Sequence, residues 1–144
     1  MFSFLEIQGD LFTACPTTIP LAHCVSLDFR MSQGIALTFR QKYGQIPCLK
    51  AQIKEVGGCA VLQHESRLLF YMVSKRRYYM KPSYYTLEMA LLSLKRHMLE
   101  LGVEQLAIPG YLSSCRDRLD WQRVKQLIHN VFADTNITIY AYYF

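Results

Sequence analysis

Four short segments of this 144-residue chain concentrate the side chains that bind anions or move protons: Gly9-Asp10-Leu11-Phe12, residues 23–34, Ser74-Lys75-Arg76-Arg77 and residues 109–117. They bring a carboxylate beside a glycine, a serine and a glycine in one loop, three consecutive cations, and a stretch holding Ser113, Ser114 and Asp117. Each falls at or near the end of a run that reads as a β-strand, so the four could line one cleft. Where strand ends lead into helix N-termini, unpaired backbone N–H groups and the positive end of the helix dipole together bind phosphate or pyrophosphate. A formal charge of +5, from sixteen Lys and Arg against eleven Asp and Glu, favours an anionic partner of this sort without naming one.

The elements that must position these residues are legible along the chain. Residues 4–8 form a short strand ended by Gly9-Asp10, and residues 21–26 a second, apolar enough to be buried on both faces. A helix follows Gly34 and stops at Gly44, which serves as a C-cap glycine. Beyond Gly57-Gly58, residues 59–63 and 67–74 flank the polar His64-Glu65-Ser66 and read as a hairpin. After Pro82, Ser83 is the N-cap of a helix in which Leu87, Leu91, Leu94, Met98 and Leu101 recur at three- and four-residue steps until Gly102. Residues 105–108 form a strand, residues 109–116 an irregular loop, residues 120–133 an amphipathic helix carrying Val124, Leu127, Ile128 and Val131, and residues 137–142 a closing strand. The order β-β-α-β-β-α-β-α-β predicts a mixed, largely parallel sheet covered by helices on both faces, a three-layer α/β/α sandwich.

With 51% hydrophobic and 19% charged residues and no repeat or linker, the chain reads as a single domain over residues 1–144. Its apolar runs, such as residues 68–73, are far shorter than the ~20 residues that span a bilayer. The opening Met1-Phe2-Ser3-Phe4 lacks a basic leader and is a poor signal peptide, so the expected location is the cytoplasm or nucleus. The five cysteines, at 15, 24, 48, 59 and 115, form no C-x-x-C pair and read as reduced thiols rather than a disulfide framework or zinc site. A monomer is expected.

Taken alone, several of the candidate residues have plainer readings. Gly9-Asp10 makes a turn, Lys75-Arg76-Arg77 a solvated basic turn, and Asp117 and Asp120 precede a helix whose dipole they complement. His23, a lone histidine in an apolar strand, reads as a core residue. Tyr142 and Phe144 at the chain end fit a core or a stacking surface equally. The stretch Lys75-Arg76-Arg77-Tyr78-Tyr79-Met80-Lys81 interleaves cations with aromatics, which gives RNA binding a place among the readings.

Together, Ile7-Gln8-Gly9-Asp10-Leu11-Phe12, Ala22-His23-Cys24-Val25-Ser26, Arg30-Met31-Ser32-Gln33-Gly34-Ile35-Ala36, Lys75-Arg76, Lys81-Pro82-Ser83-Tyr84 and Asp117-Arg118-Leu119-Asp120-Trp121 resemble the macrodomain family. The subgroup they resemble is that of terminal ADP-ribose protein glycohydrolase, or O-acetyl-ADP-ribose deacetylase. The resemblance runs over about residues 4–144 and implies an ADP-ribose cleft in which acyl or glutamyl esters of the distal ribose are hydrolysed, with no metal or cofactor. It implies that Asp10, supported by the Leu11 backbone, meets the adenine amino group, and that Tyr142 and Phe144 lie against the base. Ser26 would touch the distal ribose, and Met31, Gly34 and Ile35 would wrap it. Lys75 would attack the anomeric carbon as a neutral amine, and Asp117 would resolve the adduct. ADP-ribose, O-acyl-ADP-ribose and ADP-ribosylated proteins are the implied partners.

Two loops depart from the family pattern. Residues 109–116 hold one glycine, where the family's diphosphate loop is glycine-rich, and run one residue longer, leaving Ser113, Ser114 and Cys115 to face the diphosphate. Ser32-Gln33-Gly34 stands where a Gly-x-Gly pattern is usual. Side chains at former glycines would narrow the cleft or shift its register, which leaves a non-catalytic ADP-ribose reader beside the hydrolase as an expectation.

Overall fold

The computed structural model describes residues 1–113 and 118–144, the side chain of Ser113 excepted. Its elements are β1 (Ser3–Gln8), β2 (Leu21–Ser26), α1 (Gly34–Tyr43), α2 (Ile46–Gln52), β3 (Cys59–His64), β4 (Arg67–Lys75), α3 (Tyr84–Leu101), β5 (Gln105–Pro109), a short 3-10 turn (Gly110–Ser113), α4 (Trp121–Phe132) and β6 (Thr138–Tyr143). Side chains alternate between the faces of a strand, and in β4 both sets are buried. Leu69, Tyr71 and Val73 pack with Phe39 of α1 and Leu49 of α2, while Phe70 and Met72 pack with Leu87, Leu91 and Leu94 of α3 and Val124 and Ile128 of α4. A strand buried on both faces requires helices on both sides of the sheet, and the chain has the expected α/β/α sandwich.

The six strands lie in the order β1-β6-β5-β2-β4-β3, all parallel except β3, which pairs antiparallel with β4 as the hairpin reading requires. β2 and β5 are neighbours, but the chain leaves β2 toward β4 and leaves β5 toward β6. Their outgoing loops therefore diverge and open a crevice beyond the strand ends, the usual ligand position in such sheets.

Local signals account for most helix ends. Ser83 accepts from the Thr86 N–H and Thr86 returns the bond to the Ser83 N–H, a capping box; Gly102 follows in the left-handed region at φ 68°. Asp120 caps α4 by accepting from the Gln122 N–H. Helix α2 lies outside the sequence reading: Gln45 precedes it at φ 61° with no side-chain cap, and Pro47 occupies its first turn. Cys15, Cys24, Cys48 and Cys59 form no disulfide. Among the described residues no helix is long and apolar enough to cross a membrane.

Candidate active site

The pairing of β2 with β4 changes register at its last step. Val25 faces Val73 but Ser26 faces Lys75, so Ser74 is an extra residue and β4 bulges there. A bulge re-aims the side chains around it, and this one sets Lys75 beside Ser26 at the carboxyl ends of two adjacent parallel strands. The Leu27 N–H donates to the Lys75 carbonyl at 2.8 Å and extends the pairing past the bulge.

The loop between β2 and α1 is tied down around Asp28. Oδ1 of Asp28 accepts from the Ser26 hydroxyl at 2.5 Å and from the Arg30 N–H at 3.2 Å, and Oδ2 accepts from the Tyr78 N–H at 3.1 Å. Burial alone would raise the Asp28 pKa. The bonds from Ser26, Tyr78 and Arg30 and the nearby Arg77 charge outweigh it and hold the carboxyl below its ordinary value. The guanidinium of Arg30 lies 4.4 Å from the centroid of the Tyr78 ring, and its carbonyl accepts from Arg40 at 2.6 Å. Phe29 and Met31 hold left-handed conformations, φ 51° and 47°, with both side chains buried, so packing over-determines a backbone that β-carbons disfavour. Gly34 opens α1 at φ 60°, where a glycine costs least.

These loops enclose a cleft of about 330 Å³. Ser26, Met31, Ile35 and Lys75 line it, together with His23, Gln33, Ser74, Tyr78, Tyr79 and Lys81. His23 is 1% exposed and stacks on Phe39 with ring centroids 3.7 Å apart. Neither of its ring nitrogens has a partner among the described residues, and burial lowers its pKa to about 3. The imidazole is therefore neutral, a core residue in the cleft wall. The Tyr71 ring stands edge-on to it at 4.9 Å, and the Tyr71 hydroxyl is likewise buried without a partner among the described residues.

The turn after β5 bears on the missing glycines. Tyr111 (φ 65°) and Leu112 (φ 45°) adopt left-handed conformations in succession, so side-chain-bearing residues hold the backbone shapes that glycine takes cheaply. Each costs on the order of 1–2 kcal/mol, offset by packing: Leu112 is 3% exposed, and the Tyr111 ring meets Tyr143 at 5.0 Å and Trp121 at 5.9 Å. Tyr143 is fixed in turn, donating its hydroxyl to Glu6 at 2.5 Å and accepting from the Trp121 indole at 2.9 Å. Gly110 is the one position in this turn where glycine is obligatory, because a Cβ there would lie 2.4 Å from the Tyr143 ring. Gly110→Ala is expected to cost about 1–3 kcal/mol by overpacking. Urea unfolding measures it, and Gly44→Ala, with no atom within 4 Å of its Cβ but φ +60°, gives the cost of backbone strain alone for comparison.

At the far end of the same sheet edge, Gly9 donates its N–H to the Tyr143 carbonyl at 2.7 Å and turns the chain at φ 150°. Oδ1 of Asp10 then accepts from the N–H groups of Phe12 (2.7 Å) and Thr13 (3.3 Å), the turn that the dipeptide reads as, leaving Oδ2 outside those bonds. Leu11 is buried, Tyr142 is 7% exposed and packs in the core beside Ile7 and Leu11, and Phe144 is 97% exposed. Asp10, Leu11, Tyr142 and Phe144 stand apart from the lining of the cleft around Lys75. Ser114, Cys115, Arg116 and Asp117 lie outside the described residues, as does the Ser113 side chain. Sequence reasoning missed Asp28 and the bulge at Ser74. The spacing Ser26-x-Asp28 after a strand was a usable signal for the former, since an aspartate there folds back on neighbouring donors.

No family model matches the chain. It is 42% identical over 136 residues to a human protein named ADP-ribose glycohydrolase OARD1, covering 94% of this chain and 88% of that protein. A bovine protein of the same name is 41% identical over the same coverage. Among solved structures, the macrodomain of Thermus aquaticus DarG superposes with a TM-score of 0.85 at 20% identity, covering 99% of each chain. Thermosipho africanus DarTG in complex with ADP-ribose gives 0.82 at 18% identity over 98% of this chain and 41% of that one.

Proposed function

Since the chain belongs to the macrodomain family of ADP-ribose glycohydrolases, we propose that it cleaves ester-linked ADP-ribose, freeing acidic side chains of modified proteins or deacylating O-acyl-ADP-ribose. The observation that carries the reading is the register shift that sets Lys75 beside Ser26 at the mouth of the cleft. From β4 to β1 the sheet crosses four inter-strand steps, about 19 Å. An extended nucleotide sugar therefore reaches from Lys75 and Ser26, across the turn after β5, to Asp10. In that pose Oδ2 of Asp10 accepts from the adenine amine, and backbone N–H groups of the loops after β2 and β5 meet the diphosphate.

Chemically, a lysine suits a carbon that becomes an aldehyde when the distal ribose opens. In the ester that carbon carries the acyloxy group: the Nζ lone pair forms the bond to it as its bond to the acyloxy oxygen breaks, the carboxylate leaves with that electron pair, and Nζ gives up a proton to Asp117. Asp117, by the family resemblance, carries the protons for ester cleavage and for the water that frees the lysine. The test is release of ADP-ribose from a glutamyl-ADP-ribosylated protein, run beside calorimetric titration with ADP-ribose. Binding with release is expected. Binding without release would make the protein a reader, and no binding would mean that the substituted loops have closed the cleft.

A further inference from the structure

Ser26 has one hydroxyl hydrogen and two lone pairs, and the hydrogen is already committed to Oδ1 of Asp28 at 2.5 Å. We propose that Asp28 is a positioning residue that fixes Ser26 as a hydrogen-bond acceptor only, so that this end of the cleft selects a ligand group that donates, as a ribose hydroxyl does. The inference rests on the ADP-ribose reading of the cleft and adds the direction of one of its hydrogen bonds.

Three features hold that direction. The Asp28 carboxylate cannot turn away, because Oδ1 also accepts from the Arg30 N–H and Oδ2 from the Tyr78 N–H, donors on the two loops that flank Lys75. Among the described residues both oxygens are met by donors, so the group stays ionised, and an ionised carboxylate cannot return a proton to Ser26. Finally, the Ser26 main chain is pinned: its carbonyl accepts from the Phe29 N–H at 2.9 Å, and Leu27 pairs with Lys75. An anionic or ether oxygen arriving at Ser26 would meet lone pairs and be repelled. A hydroxyl would donate to Ser26 and have its oxygen left to accept from another group.

ADP, which lacks the distal ribose, separates this role from a merely structural one. Calorimetry is run on wild type, Asp28→Ala, Asp28→Asn, Ser26→Ala and the Asp28→Ala/Ser26→Ala double variant, with ADP-ribose and with ADP. Losing a charge-assisted hydrogen bond is worth roughly ten- to a hundredfold. Asp28→Ala is therefore expected to weaken ADP-ribose by about that factor while changing ADP by less than about threefold. Asp28→Asn, which keeps one acceptor oxygen, should fall between. The double variant should bind ADP-ribose no more weakly than Ser26→Ala alone, since Asp28 acts through Ser26. Equal losses for both nucleotides, unchanged ADP-ribose affinity in Asp28→Ala, or additive losses in the double variant would each overturn the inference alone. A wild-type protein that binds neither nucleotide would overturn the functional reading as well.

Discussion

Lys75→Ala is expected to reduce release of ADP-ribose from a glutamyl-ADP-ribosylated protein by about a thousandfold or more, while ADP-ribose affinity stays within a few fold. The side chain stands at the end of β4, past a bulge that sets it level with Ser26. Removing it deletes the atom that the proposed mechanism makes the nucleophile, but leaves the strand pairing and the loop contacts of Asp28 in place. Lys75→Arg sharpens the experiment. A guanidinium retains the charge and much of the length but is never deprotonated in a protein, so it cannot attack carbon. Arginine should therefore be as inactive as alanine. Substantial turnover in Lys75→Arg would show that position 75 serves as a positive charge, and the adduct mechanism would be abandoned.

The second large effect concerns acid. His23 is buried and neutral with a pKa lowered to about 3, against 6.5 for an ordinary histidine. Between those values the unfolded chain binds a proton that the folded chain does not, so stability falls as pH falls through that window, by about 1.4 kcal/mol per unit. His23→Leu removes the linkage. At pH 7 its stability should lie within about 1 kcal/mol of wild type, because the ring nitrogens make no hydrogen bond among the described residues and an apolar side chain suits the site. At pH 4 the variant should lead by about 3 kcal/mol relative to the difference at pH 7. Urea unfolding from pH 7 to pH 4 gives both slopes, and parallel curves would refute the burial argument.

What the sequence made legible follows from how local each cause is. Ser83, Gly102, Asp120 and Gly44 act within one turn of chain, and all four mark helix ends as read. The two-sided burial of β2 was visible in its apolar composition, and the layers followed from the order of the elements. Helix α2 was not visible, since its seven residues begin at an uncapped left-handed Gln45 and its burial rests on Leu49. The bulge at Ser74 depends on how β4 is drawn past its neighbour, a relation between strands distant in the chain. The reading of His23 as core agrees with its stacking on Phe39. For the glycine-poor loop, composition pointed to a changed backbone, yet Tyr111 and Leu112 occupy left-handed conformations because the Trp121 and Tyr143 rings and the core hold their side chains.

The bulge at Ser74 also marks a boundary in time. Residues 70–73 lie in a fully buried strand paired on both sides, where amide protons exchange with solvent only when the whole domain opens. Residues 76–81 are exposed loop, where exchange needs only local opening. Lys75 stands on the step between them, its backbone anchored in the slowest-opening part of the molecule and its neighbours on one side free to admit and release a substrate on a far shorter clock.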